Sequence, residues 1–204
     1  MDEDVWLACT DPIRMFVFLR RHSPSPRKVR LFACACARRW LDHDDDTPGP
    51  SRRAVEVAEL YADGLAPEGE LEAAGQNAWE VVRASQSPQR VVAAWATNPD
   101  AWIAAVNTSR HTDPASQCAI LRDLFGPLPF WHIAPDPRWL MWNHGTVPAI
   151  ACPIYEDRAF PDLTILADAL EDGGCVDRDI LRHCRAEGEH VRGCWVVDLL
   201  LGRK

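Results

Sequence analysis

Proline stands at the head of one apolar, helically spaced stripe after another, and this punctuation limits the chain to short helices. In "DPIRMFVFLRRH", Asp11 reads as an N-cap and Pro12 as the first helical residue. "SPSP" at 23–26 breaks that helix, and "RKVRLFACACARRWLDH" resumes with Val29, Phe32, Cys36 and Trp40 on one stripe. Ser51 is placed to cap "RRAVEVAELYADG", with Gly64 as its stop. Pro67 opens the next helix, and Asp113-Pro114 opens "ASQCAILRDLFG". No segment alternates with period two between turn signals, so no strand is expected. The fold class read from this pattern is all-α, a compact array of roughly nine short helices.

One stretch departs from the pattern. "GPLPFWHIAPDP", from Gly126 to Pro137, is too proline-rich for a helix and too aromatic for a flexible linker. It predicts an ordered, packed connector. A single helical domain over 1–204 is the simplest organisation, with sub-domains 1–110 and 112–204 as its subdivision.

The balance of 22 basic against 30 acidic side chains gives a net charge of −8, which argues against general nucleic-acid binding and against an anionic membrane surface. No uncharged apolar run is long enough to span a bilayer. The acidic start "MDEDVWLACTDP" lacks the basic head and apolar run of a secretion signal, so the expected location is the cytoplasm. There the eight cysteines would serve as thiols, core residues or metal ligands rather than disulfides.

The strings "WLACTDPIRMFVFLR…RKVRLFACACARRW", "SRRAVEVAELYADGLA" and "ILADALEDGGC…DILRHCRAEGEHVRGCWVVDLLLG" resemble a planctomycete-type bacterial protein family of unknown function. The similarity covers both ends of the chain; Trp79 to Pro137 matches less. It implies a bacterial cytosolic protein and brings no catalytic residue with it.

The tail concentrates the candidate chemistry. Cys175, Cys184, His190 and Cys194 follow the spacing C-x8-C-x5-H-x3-C, a donor set that suits tetrahedral zinc but lacks the C-x2-C pair of the strong zinc motifs. Core packing is the competing reading of the same cysteines. Arg182, His183, Arg185, His190 and Arg192 form a cationic cluster able to receive a phosphate or carboxylate. The competing reading has Arg182, His183 and Arg185 offsetting the dipole at a helix C-terminus. Asp198 interrupts the apolar "WVVDLLL" and, if buried, needs an ion-pair partner, with Arg192 or another arginine as the candidate. His190, Cys194 and Asp198 would share a face if the last helix began near His190. "CRAEGEHVRGCW" itself reads as a turn, with Gly188 ending a helix or taking a positive φ and Gly193 allowing close packing.

Elsewhere, Cys34 and Cys36 lie two apart and point away from each other on a helix, so Ala33 to Ala37 reads as a close helix contact. The acidic run Asp42, His43, Asp44, Asp45 and Asp46 reads as a solvated loop. Nine tryptophans are many for this length; most suit the core, and Trp131 is the one expected on a partner surface.

The chain has no glycine-rich phosphate loop, no G-x-S-x-G and no H-E-x-x-H. The function this favours is a non-enzymatic protein-interaction or regulatory module with no catalytic residue, its partner another protein. The alternative is a zinc- or anion-binding helical protein, enzyme or not, that uses the Cys175–Asp198 region.

Overall fold

A computed structural model describes residues 1–41, 47–85, 90–127 and 134–203. Among them are thirteen α-helices and no strand. The all-α class therefore stands. The count exceeds the nine expected because helices of five or six residues, such as Glu3–Leu7, Val91–Ala96 and Pro137–Met141, are too short to show a period. Trp131, half of the proline-rich connector (128–133) and the acidic run 42–46 lie outside the described residues. No helix of the described residues is long and apolar enough to cross a membrane.

The chain divides into two compact units, residues 8–118 and residues 1–7 with 119–204. The first contains α2 (Pro12–Arg21), α3 (Pro26–Leu41), α4 (Gly49–Ala62), α5 (Glu68–Ala84), α6 (Val91–Ala96), α7 (Ala101–Ser109) and the start of α8 (Pro114–Phe125). α3 is its axis and packs on α4, α6 and α7. The small run Ala33 to Ala37 makes this possible. All five residues are buried, Cys34 and Cys36 among them, and their short side chains let neighbouring helices approach closely.

One buried and one half-buried charge on α3 are satisfied by neighbouring segments. The Arg30 guanidinium donates to the carbonyls of Ala96, Asn98 and Pro99, at 3.1, 2.7 and 2.6 Å, where α6 ends. Arg38 grips Glu59 of α4 with two hydrogen bonds of 2.7 and 2.8 Å.

The expected helix starts mostly hold. Asp11 accepts from the N–H groups of Ile13 and Arg14, and Asp113 accepts from Ser116. Ser51 does not cap α4. That helix starts earlier, at Gly49 behind Pro48, and Ser51 is buried inside its first turn. The fixed φ of Pro48 and Pro50 sets the entry without a side-chain cap.

The second unit contains α1 (Glu3–Leu7), the end of α8, α9 (Pro137–Met141), α10 (Thr146–Glu156), α11 (Leu163–Asp172), α12 (Arg178–Arg185) and α13 (Trp195–Leu201). Its core joins Val147, Ile154 and Tyr155 of α10 to Leu166 and Leu170 of α11, Ile180 of α12, and Trp195, Val196 and Leu200 of α13. Asp177 caps α12 by accepting from the N–H groups of Asp179 and Ile180.

Candidate metal centre

The segment "CRAEGEHVRGCW" closes on α8 through two glycines and a tryptophan. α12 stops at Arg185 and α13 starts only at Trp195, so residues 186–194 run as irregular chain. Gly193 takes the left-handed backbone (φ 91°) that turns the chain into α13, with Cys194 at the N-cap position. Gly188 does not adopt a positive φ. At the other side of the turn, Gly126 ends α8 with φ 48°. A Cβ added there would stand 2.5 Å from Cγ of Trp195, so only glycine admits the indole this close to the end of α8.

That approach brings three elements to one point. Asp123 comes from the last turn of α8, His183 from the last turn of α12, and His190 and Cys194 from the irregular segment. One ligand atom from each lies within 4.8 Å of all the others. His190 Nδ1 is 2.6 Å from Asp123 Oδ1, and His183 Nε2 is 3.2 Å from the same oxygen. His183 Nε2 is also 3.1 Å from Cys194 Sγ. Asp123 Oδ2 accepts the backbone N–H of Val191 at 2.9 Å, which fixes the carboxylate. The two imidazole rings lie 5.0 Å apart, nearly perpendicular, and His183 also stands edge-on to Trp195.

The electrostatics follow from burial and from this pairing. Burial alone would raise the Asp123 carboxyl, but hydrogen bonds and charge from His183 and His190 together hold it below the usual range. Burial alone would lower His190. Asp123 and a hydrogen bond with the backbone of Ala186 outweigh that and hold it above the usual imidazole range. Burial, and then the charge of Asp123, push the Cys194 thiol well above its ordinary value.

The donor set is two nitrogens, one sulfur and one oxygen, which matches the ligands zinc takes. Bond lengths of about 2.0–2.3 Å place tetrahedral donors about 3.3–3.7 Å apart. The two His183 contacts are close to that already. The His190–Asp123 pair must open by about 1 Å or less to admit an ion.

Two of the four zinc ligands expected from sequence, His190 and Cys194, are in this group. Cys175 and Cys184 are not. Both lie in the same hydrophobic core as Cys194 but away from the grouped ligand atoms, and burial, reinforced by Cys175, pushes the Cys184 thiol up to about 12. Asp123 and His183 complete the group instead.

The cationic cluster is dispersed. Arg182 pairs with Asp179. Arg185 pairs with Asp168 at 2.7 Å and with Glu171. The Arg192 guanidinium lies 4.4 Å from the centre of the Tyr155 ring. His183 and His190 share the candidate centre, and Arg182 borders a cavity beside it. Asp198 is buried, as its apolar neighbours imply. It sits within α13 while His190 lies outside any helix, so His190, Cys194 and Asp198 do not form a helical face. The positive φ of Gly193 delays the helix by five residues relative to the expected start.

Asp123 had one usable sequence signal. It is a carboxylate in the last turn of α8, where the helix dipole disfavours negative charge. Such a residue calls for a partner.

Comparison with protein-family models, with curated proteins and with solved structures finds no match.

Proposed function

We propose that this chain is a metal-binding helical protein that holds a divalent ion of the zinc class through Asp123, His183, His190 and Cys194. The observation that carries the reading is Cys194. A carboxylate clamped by two imidazoles is also a sound metal-free network. Such a network does not need a thiol, yet Cys194 Sγ lies 3.1 Å from His183 Nε2, and a thiolate is a donor that zinc takes. The fixed carboxylate and the hydrogen bond from His190 to the backbone of Ala186 supply the orienting outer contacts that metal-bound histidines use. The anion-binding alternative has less support, because Arg182 and Arg185 are already held by carboxylates.

Metal analysis of the purified chain tests the proposal. About one zinc per chain is expected, lost on chelation and near zero in the His183→Ala/Cys194→Ala double variant. A wild-type chain that neither carries nor takes up zinc or cobalt would contradict it, as would a double variant that keeps full content.

A partner-binding role is a second reading with its own support. Ile13 and Val17 stand one turn apart on α2 and are 71% and 50% exposed.

A further inference from the structure

We infer, resting on the metal-binding reading above, that an ion at this centre has a fifth, open position facing an adjoining cavity and takes there a small neutral nitrogen donor of the amine or imidazole class.

The cavity measures about 380 Å³, and its wall includes Asp123, His183 and His190. Cys194 is not in that wall and is 1% exposed. The thiol therefore closes the buried side of the centre, while the other three donors border its open side. Asp123 Oδ2 accepts the N–H of Val191, which leaves Oδ1 as the freer donor. Four protein donors complete a tetrahedron, so a further ligand needs the expansion to five coordination that zinc can undergo. The cavity is the side from which that fifth donor comes.

Charge selects its class. A divalent ion with one thiolate, one carboxylate and two neutral imidazoles is neutral overall. The rest of the wall places Glu3, Asp179, Glu187 and Glu189 against Arg122 and Arg182. The surplus of carboxylates opposes an incoming anion and favours a neutral ligand. The indole of Trp195 in the same wall offers a face for a flat ring.

The test uses the full chain loaded with cobalt(II), whose visible absorption reports coordination number, titrated separately with imidazole and with azide. The expected result is a changed spectrum with cobalt retained after gel filtration, reached at about tenfold lower imidazole than azide. Leu7→Trp, which fills the cavity from α1 without touching a donor, is expected to weaken the imidazole response and leave cobalt binding unchanged. An unchanged spectrum with cobalt still bound overturns the open position and leaves the metal site standing. Release of cobalt in place of a shifted spectrum overturns it too. Azide equal to imidazole overturns the charge selection. A chain that binds no cobalt overturns this inference together with the metal-binding reading.

Discussion

Asp123→Ala is expected to lower the unfolding free energy of the metal-free chain by about 3–5 kcal/mol, the range for removing one partner of a buried charged pair. Asp123 is 4% exposed and is the acceptor on which three groups converge: the His183 ring, the His190 ring and the N–H of Val191. Alanine leaves the Val191 N–H and His190 Nδ1 without their acceptor, so the desolvation of each is no longer offset. Asp123→Asn keeps an oxygen for one donor and turns an amide toward another, and is expected to lose less than the alanine variant. Urea denaturation under chelating conditions measures both. A loss below about 1 kcal/mol for Asp123→Ala, typical of a surface change, would mean that the carboxylate does not hold the turn to α8.

The second large effect is stabilisation by the ion itself. Whatever binds the folded chain and not the unfolded one adds RT ln(1 + [L]/Kd), about 4 kcal/mol at 1,000 times the dissociation constant. Zinc added at that excess to the metal-free chain is therefore expected to raise its unfolding free energy by about that amount. The eight cysteines compete for the ion once the chain unfolds, which trims the figure. The His183→Ala/Cys194→Ala double variant keeps the other seven of the eight cysteines as competitors, yet lacks the centre. It is expected to gain almost nothing. An equal gain in wild type and variant would place the effect on surface or unfolded-state binding, away from these four residues.

The helix starts were legible because their signals are local. Asp11-Pro12 and Asp113-Pro114 each carry a cap and a fixed φ within two residues, and the structure uses both. Ser51 misled because an N-cap preference competes with proline geometry one turn earlier, and Pro48 set the entry.

At the candidate site the same rule divides what could be read from what could not. His190 and Cys194 stood out as ligand types in a glycine-rich turn. Their partner Asp123 lies 67 residues from His190, beyond any local pattern. Cys175 and Cys184 were indistinguishable from ligands because a cysteine reads the same in sequence whether it fills a core or binds an ion. Their places in the core depend on the packing of α10 to α13, which no spacing encodes.

The central claim is that Cys194 and the two histidines hold one ion together with Asp123. Cobalt(II) titration of the reduced, metal-free chain tests it most directly, because thiolate bound to cobalt gives a near-ultraviolet charge-transfer band alongside the visible bands of tetrahedral coordination. The band is expected to saturate at about one cobalt per chain, to vanish in Cys194→Ser, and to persist unchanged in Cys175→Ser. A band that survives Cys194→Ser, or cobalt that binds with no thiolate band at all, would contradict the account.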